Sequence, residues 1–275
     1  MTQTPPDSPP AARSGRTAME VAVEAAQVAG RIIQDRFHTS LDIRFKGRAD
    51  IVTDVDLAAE KAVLELLQSE FPDFGVLAEE SRPVETGSPY TWVVDPLDGT
   101  RNFATGIPHF CTIVALARDG EIVLGVTFDP IRQEMFTAEA GRGAFANGQP
   151  LSVTSKQEIE EAVLCFDMGY VDEKAGLAID LIRSLWPDVI SIRLMGSSAL
   201  GVAYAAANRV DLYFHHSLSP WDIAAGHVLV REAGGVIVDK QGQPANLRTA
   251  SIIASNQQLV NDFLKRTDGH PWRAV

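Results

Sequence analysis

Short apolar runs of β type alternate with helical patterns along this chain in a mixed order, and that order constrains the fold more than any other feature of the sequence. Runs at Cys111–Ala117 and Ile122–Phe128, with Gly120 between them, predict an antiparallel hairpin in the first half. In the second half, strand-like runs such as Val163–Phe166 and Leu212–Phe214 are separated by helical patterns. We therefore predict an α+β fold of layered helices and sheets, and not a uniform βαβ barrel.

The length of the chain suits one large domain or two closely packed halves, since it has 275 residues. We predict a single domain over residues 17–270, with approximate halves at 17–152 and 153–270 and a link near Ser152–Glu160. Residues 1–16 contain several prolines and no apolar stretch, which predicts a disordered leader and not a signal peptide.

The charge and the cysteine count exclude several classes of protein. The net charge of −12 argues against nucleic acid or an anionic membrane surface as a partner, and no apolar run approaches the ~20 residues of a membrane span. Cys111 and Cys165 are too few for a disulfide framework or a cysteine-rich zinc site, so we expect a cytoplasmic protein. The neighbouring His215 and His216 are expected to point apart.

The stretch Trp92-Val-Val-Asp95-Pro-Leu-Asp98-Gly-Thr100 carries the strongest chemical signal. An apolar strand is predicted over Trp92–Val94, which places Asp95 at its end and Asp98 on the same rigid turn. Two carboxylates held this close repel each other unless a cation lies between them. Oxygen ligands of this kind select hard ions such as Mg²⁺ or Mn²⁺.

The residues that follow these acids are suited to binding an anion. Gly99 allows close approach of the backbone, and Thr100 begins a possible helix whose first amide groups could hold a phosphate. The alternative is an Asp-Pro turn followed by an Asp-Gly turn, with both carboxylates merely solvated.

Other segments supply further acids in comparable positions. Glu79 and Glu80 follow a short apolar strand, and one of them could share a cation with Asp95, although such pairs are usually solvated loop charges. Asp222 opens an apolar helix after Pro220, where it could serve only to complement the helix dipole. Neither segment is decisive by itself.

The run Thr53-Asp-Val-Asp56 also has more than one interpretation. Asp56 could cap a helix together with Thr53, or it could accept a hydrogen bond from Thr100 and help to orient an attacking water. Asp54-Val-Asp56 is similar to the Asp-x-Asp of haloacid-dehalogenase-type phosphatases as well, but here the run continues into a helical pattern and Ala58 stands where Thr or Val is usual.

Taken in order, five motifs of this chain resemble the inositol monophosphatase family over roughly residues 17–266. They are Asp50-Ile-Val-Thr-Asp-Val-Asp56, Glu79-Glu-Ser81, Asp95-Pro-Leu-Asp-Gly-Thr-Arg-Asn-Phe103, Gly196-Ser-Ser198 and Pro220-Trp-Asp-Ile-Ala-Ala-Gly226. Their joint occurrence is far more specific than any single motif. The resemblance implies a layered αβαβα sandwich of the inositol monophosphatase and fructose-1,6-bisphosphatase type, a lithium-sensitive magnesium phosphatase, and a homodimer.

The resemblance also implies which residues hold the metals. Glu79, Asp95 and the Leu97 carbonyl would bind a first ion. Asp95, Asp98 and Asp222 would bind a second, and Glu79 would help with a loosely bound third. Two to three Mg²⁺ ions are therefore expected, with Mn²⁺ as a possible substitute, and they would let an acidic protein bind an anionic ester.

Catalytic roles follow from the same resemblance. The amides of Gly99 and Thr100 would hold the phosphate. Asp56 with Thr100 would activate the attacking water, Glu79 would take part in catalysis, and Lys46 would lie on a mobile loop that shields the site.

Three residues are expected to contact the substrate: Ser198, His215 and Asp222. Inositol-preferring members have a glutamate seven positions before the aspartate that corresponds to Asp222, where this chain has His215, and Ser198 replaces a small alanine. These changes bear on substrate choice and not on catalysis. The expected substrate is inositol 1-phosphate or a related sugar or polyol phosphate, with histidinol phosphate and fructose 1,6-bisphosphate as alternatives. A non-catalytic homologue that binds metal or phosphate is the alternative of another class.

Overall fold

The computed structural model of the protein describes residues 9–47 and 50–274. The helices are α1 (Ala18–Arg36), α2 (Asp54–Glu70), α3 (Thr100–Thr105), α4 (Asp172–Leu185), α5 (Ser198–Ala206), α6 (Pro220–Glu232), α7 (Gln257–Arg266) and α8 (Pro271–Ala274). The strands are β1 (Ile43–Phe45), β2 (Ile51–Thr53), β3 (Gly75–Ala78), β4 (Tyr90–Asp98), β5 (Cys111–Arg118), β6 (Glu121–Asp129), β7 (Glu134–Glu139), β8 (Gly143–Ala146), β9 (Gln149–Pro150), β10 (Val163–Phe166), β11 (Ser191–Leu194), β12 (Leu212–His215), β13 (Val236–Val238) and β14 (Ile252–Ser255).

Most of these strands form two large sheets. The first sheet has the order β3-β4-β5-β6-β7-β8-β9 and is antiparallel except for the parallel pair β3 and β4. The second sheet has the order β11-β10-β12-β14-β13, in which β10 runs parallel to both of its neighbours. The predicted hairpin is confirmed as β5 and β6, and β1 and β2 form a separate two-stranded ribbon.

Hydrophobic contacts arrange these elements in five layers. α1 and α2 cover one face of the first sheet, where Val21 and Val63 belong to the same cluster as Trp92. α5 and α6 fill the space between the sheets, and α4, α7 and α8 cover the outer face of the second sheet. Trp92 and Val93 belong to different clusters because successive side chains of a strand point to opposite faces. The predicted αβαβα sandwich is confirmed.

Three details differ from the sequence-based expectations. β4 continues through Asp98 and does not end at Val94. β7, β8 and β9 were not predicted, because short strands with polar residues are stabilised by pairing with neighbours more than by their own pattern. The expectation that His215 and His216 point apart is wrong: their rings stack with centroids 4.7 Å apart. His216 lies beyond the end of β12, so the alternation of a strand does not apply to it.

The N-terminal segment also differs in part from its prediction. Residues 1–8 of the expected leader lie outside the described residues. Ala12, however, is buried, the Arg13 amide donates to the Glu70 carbonyl at 3.0 Å, and Arg16 Nη2 lies 2.7 Å from Glu70 Oε1. These contacts fix residues 12–16 against the end of α2.

Among residues 9–47 and 50–274, no helix combines the length and the apolar character that crossing a membrane requires.

Candidate active site

The first two acids of the site lie together because β3 and β4 are parallel neighbours. Ala78, the last residue of β3, is the register partner of Val94 in β4. Glu79 directly follows Ala78, and Asp95 directly follows Val94. Residues that follow paired positions of parallel strands lie side by side. Asp95 is 1% exposed, so this part of the site is shielded from bulk water.

An irregularity in β4 brings the second aspartate to the same place. The pairing of β4 with β5 shifts register between Asp95 and Asp98. Within this bulge, Asp95 Oδ1 accepts a hydrogen bond from the Leu97 amide at 2.9 Å. Bulges redirect side chains that would otherwise alternate between the two faces of a sheet. Both aspartates consequently line one cavity.

The third aspartate reaches this point from the second half of the chain. Asp222 lies in the first turn of α6, where its Oδ2 accepts from the Ser219 amide at 2.8 Å. Carboxylate oxygens of Asp95, Asp98 and Asp222 all lie within 4.8 Å of one another. Asp222 therefore has the capping role that its sequence position suggests and also joins the acidic cluster.

The electrostatic state of this cluster favours a bound cation. Burial, reinforced by the negative charges of neighbouring carboxylates, raises the pKa of Asp95 and of Asp222 well above the usual range. Burial also raises the pKa of Asp98, although hydrogen bonds to its carboxylate act in the opposite direction. Crowded, desolvated carboxylates bind protons more tightly because the charged forms repel each other. A hard divalent cation, coordinated by oxygen atoms, fits this donor set.

Glu79 has a different partner from the three aspartates. Its Oε1 accepts from Lys46 Nζ at 2.8 Å, and Lys46 also contacts Glu80 Oε1 at 2.5 Å. Burial raises the pKa of Glu80 to about 7 in spite of this lysine. Burial lowers the pKa of Lys46, but Glu79 and Glu80 raise it by more. The β1–β2 region thus supplies a cation to the acids that follow β3.

Asp56 and Thr100 form a buried hydrogen-bonded pair. Thr100 Oγ1 lies 2.9 Å from Asp56 Oδ1 and 2.9 Å from the Leu97 carbonyl oxygen. Asp56 Oδ2 accepts from the Thr53 amide at 2.9 Å and from the Thr53 hydroxyl. The two interpretations of Asp56 are therefore compatible, because the cap uses one oxygen and Thr100 uses the other. Burial raises the pKa of Asp56, although these donors lower it.

Gly99 brings the chain close to a turn of the second half. Its φ of +89° is in the left-handed region that favours glycine. A Cβ atom at this position would lie 3.1 Å from the His109 carbonyl oxygen and 3.2 Å from the Gly196 carbonyl oxygen. A side chain would have to displace backbone there, so the entry into α3 depends on glycine.

These groups line a cavity of about 710 Å³ between the two halves. Every sequence-predicted site residue except Asp56, which lies behind Thr100, belongs to its lining. Those lining residues are Lys46, Glu79, Asp95, Leu97, Asp98, Gly99, Thr100, Ser198, His215 and Asp222. Four further lining residues are exposed, carry apolar surface and form part of the rim: Met168, Tyr170, Val171 and Leu194.

Comparison with known proteins indicates the same family as the sequence motifs. The model of the inositol monophosphatase family matches residues 16–268. The chain belongs to the inositol monophosphatase family. It is 38% identical over 256 residues to "Inositol monophosphatase 3" of Solanum lycopersicum, covering 90% of this chain and 95% of that protein. It is 37% identical over 252 residues to "Nus factor SuhB" of Haemophilus influenzae, covering 90% and 94%.

Solved structures of the family have the same fold. The extragenic suppressor protein suhB of Bartonella henselae superposes with a TM-score of 0.88 at 38% identity, covering 91% of this chain and 98% of that one. The IMPase of Thermotoga maritima gives a TM-score of 0.84 at 34% identity, covering 90% and 96%. The agreement over nearly the whole of each chain confirms the resemblance inferred from the motifs.

His215 stands where the resemblance leads us to expect a glutamate that contacts the substrate. It is 1% exposed, and its Nδ1 accepts from the Ser217 amide at 3.0 Å. Burial, together with His216, lowers the pKa of His215 to about 3, so the ring is neutral at physiological pH. Because Nδ1 accepts, the single ring proton resides on Nε2. At this position the chain therefore offers a neutral hydrogen-bond donor in place of the carboxylate that the resemblance leads us to expect.

Three further residues of the site were given no role in the sequence analysis. Asn102 and Asp167 contact the turn between β11 and α5. Ser197 belongs to this turn and contacts Asp98. Asp167 directly follows the buried strand β10, as Asp95 follows the apolar part of β4. An acid after an apolar run was therefore an available signal. Asn102 and Ser197 lie within matched motifs, but their partners are remote in sequence.

Proposed function

We propose that this chain is a Mg²⁺-dependent phosphatase that hydrolyses the phosphate monoester of a small alcohol, with water as the nucleophile. One observation carries the proposal: three aspartates, the buried Asp95 and the partly buried Asp98 and Asp222, converge in one cavity beside the Thr100–Asp56 pair. Without bound cations, these carboxylates would repel an anionic ester. Bound cations would reverse the local charge and allow the ester to bind.

Asp95, Asp98 and Asp222 are the proposed ligands of one ion, and Glu79, Asp95 and the Leu97 carbonyl those of another. When bound, such ions neutralise the phosphate, lower the pKa of a coordinated water and stabilise the leaving alkoxide. Two to three Mg²⁺ ions are proposed, and Mn²⁺ should replace them because it accepts the same oxygen ligands.

The chain's own residues then orient the reactants. Thr100 Oγ1 accepts a proton from the attacking water while its own proton passes to Asp56 Oδ1, 2.9 Å away. The water oxygen forms a bond to phosphorus as the bond from phosphorus to the ester oxygen breaks. The ester oxygen leaves as an alkoxide and takes up a proton from water, and Asp56 releases to solvent the proton that it received. The products are the free alcohol and inorganic phosphate, so no covalent intermediate with the protein is required. The amides of Gly99 and Thr100 are proposed to hold the phosphate during this exchange.

Inositol 1-phosphate or a related sugar or polyol phosphate is the proposed substrate, with fructose 1,6-bisphosphate as an alternative. Family membership supports this class, as does the name of the Solanum lycopersicum relative. Ser198, His215 and Asp222 are proposed to contact the alcohol, since all three line the cavity.

Histidinol phosphate is a second candidate that a specific observation favours. The rim residues Met168, Tyr170, Val171 and Leu194 offer apolar surface to a ring. His215 adds a neutral donor that suits a ring nitrogen better than a hydroxyl array. An imidazole-bearing ester would satisfy both features, whereas a polyol would use neither fully.

The test is a panel of these three esters, each assayed for phosphate release by purified protein with Mg²⁺ and with excess EDTA. Mg²⁺-dependent release from any of them supports the proposed reaction, and the ranking of kcat/KM selects the substrate. No release from any ester would refute the catalytic proposal and favour a non-catalytic homologue, a class to which the name "Nus factor" of several relatives draws attention.

The remaining expectations concern partners and location. A homodimer is proposed, and sedimentation of the purified protein measures its oligomeric state.

The net charge of −12 supports the proposal that no nucleic acid binds. Filter binding with RNA and DNA at ~0.15 M salt tests it, since charge interactions depend on ionic strength. A cytoplasmic location is proposed on the cysteine count, and fractionation of the producing cell checks it.

A further inference from the structure

The turn from Met195 to Ser198 belongs to the second half of the chain but lies against the first. It follows β11, which is parallel to β10 with Phe166 and Leu194 as register partners. The next residues, Asp167 and Met195, therefore leave the same edge of the second sheet side by side.

Asp167 binds the amide groups of this turn with one carboxylate oxygen. Its Oδ1 accepts from the Met195 amide at 3.0 Å and from the Gly196 amide at 2.6 Å. Its Oδ2 accepts from the Tyr213 hydroxyl at 3.1 Å. Asp167 is 6% exposed, and hydrogen bonds to a buried ionised acceptor are stronger than neutral ones.

Asn102, in the first half of the chain, contacts the carbonyl groups of the same turn. Its Nδ2 donates to the Met195 carbonyl at 2.8 Å and lies 3.2 Å from the Gly196 carbonyl oxygen. Gly196 has a φ of +81°, and a Cβ there would lie 2.9 Å from Asn102 Nδ2. The turn is thus fixed on its amide side by Asp167 and on its carbonyl side by Asn102.

The fixed turn delivers two donors to one of the clustered aspartates. The Ser197 hydroxyl and the Ala199 amide both donate to Asp98 Oδ2, the latter at 3.0 Å. Ser197 also caps α5 by accepting from the Leu200 amide. Two donors on one oxygen fix the rotation of the Asp98 carboxyl group, and with it the direction of the other oxygen.

We infer that Asp167 is a positioning residue for Asp98: it sets the orientation of this proposed metal ligand through the Met195–Ser198 turn and Ser197. The inference rests on the proposed metal site. Asp167 is not one of the three acids whose oxygens cluster within 4.8 Å, and its influence passes through the backbone that it binds.

The experiment measures Mg²⁺ affinity by calorimetry without substrate. Asp167→Ala should weaken Mg²⁺ binding about 10- to 100-fold, the range typical when a group that orients a metal ligand is lost. Tyr213→Phe is the matched control, because it removes the bond to Asp167 Oδ2 and leaves both turn amides bound. This control should change the affinity less than about twofold, since the turn keeps its acceptor. A merely structural role would lower the melting temperature of Asp167→Ala without changing Mg²⁺ affinity, and that result would overturn the inference.

A double-mutant cycle with Ser197→Ala identifies the route. If Asp167 acts through Ser197, the double variant should bind Mg²⁺ no more weakly than the worse single variant. Fully additive losses would overturn the inference. Should Asp167→Ala fail to fold, the same cycle is run with Asp167→Asn, which keeps an acceptor of about half the strength and should weaken binding about threefold. A wild-type protein that binds no Mg²⁺ would overturn the proposed function as well, whereas an unaffected Asp167→Ala overturns only the inference.

Discussion

Replacing Thr100 with valine removes one hydroxyl group and almost no volume. The hydroxyl lies 2.9 Å from both Asp56 Oδ1 and the Leu97 carbonyl oxygen, and Thr100 is 7% exposed. The Thr100 hydroxyl does not cap α3, because Gly99 is the residue that precedes this helix and the hydroxyl contacts Asp56 and the Leu97 carbonyl oxygen instead. Its loss therefore reports on the pair with Asp56.

The expected effects differ between stability and rate. Asp56 Oδ1 would lose a donor in a buried position, which should lower the free energy of unfolding by about 1–3 kcal/mol. As part of the water-activating pair, the same hydroxyl should matter far more to turnover. A positioned proton acceptor contributes roughly 10²- to 10⁴-fold, or about 3–5 kcal/mol in the barrier. Mg²⁺ affinity should change little, because Thr100 is not among the clustered acids.

The assay is a double-mutant cycle of Thr100→Val and Asp56→Asn, with kcat measured at saturating Mg²⁺ on the best ester of the panel. Thr53→Val is the control, because it disturbs the Asp56 Oδ2 contact and the cap of α2 but leaves the Thr100 contact in place. The control should lose about 1 kcal/mol of stability and keep kcat within about threefold, since the proposed proton path uses the other oxygen.

The outcome depends on whether the two residues act as a unit. If they do, the double variant is scarcely slower than the worse single variant. Fully additive losses in kcat would show that Thr100 and Asp56 act independently, and the proposed proton path would have to be abandoned. A Thr53→Val enzyme as slow as Thr100→Val would show that the helix cap, and not the pair, governs the rate.

Removal of divalent cations should abolish phosphate release and added Mg²⁺ should restore it; release that survives exhaustive chelation contradicts the metal requirement. Millimolar lithium should inhibit the same assay, and an unchanged rate would show that the lithium sensitivity expected of the family does not extend to this chain. Asp95→Asn keeps nearly the same volume but removes a negative charge from the cluster, so it should abolish turnover and weaken Mg²⁺ binding with an unchanged circular dichroism spectrum; near-normal turnover would place the site elsewhere. Burial, aided by Arg231, lowers the pKa of His227 to about 4, below the usual ~6.5. The stability that neutral His227 contributes is therefore fully present above about pH 6.5. As the pH falls below this value, the unfolded chain binds a proton that the folded protein does not, so the free energy of unfolding decreases by up to about 1.4 kcal/mol per pH unit. Urea unfolding of His227→Gln should therefore depend less steeply on pH than wild type between about pH 6.5 and 5, and equal slopes would contradict this assignment.

Interactions between residues near in sequence were predictable from the sequence. Thr53 and Asp56 form the capping arrangement that was one of the two interpretations of this segment, because the two residues face each other across one helical turn. The position of Asp95 and Asp98 on one rigid segment followed from an apolar run ending in Asp-Pro-Leu-Asp-Gly. The αβαβα layering was predictable only through the motif resemblance, since periodicity alone indicated layered α and β elements in no definite arrangement.

Interactions between remote residues were decided by the tertiary structure. Thr100 and Asp56 are separated by 44 residues, and Asp98 and the Ala199 amide by 101. Such pairs meet only after the order of strands within each sheet and the packing of the two sheets on α5 and α6 have been settled. The acids and their chemistry are therefore properties of the sequence. Their convergence on one cavity, and the hold of Asp167 on the turn beside Asp98, arise from long-range packing that no local pattern encodes.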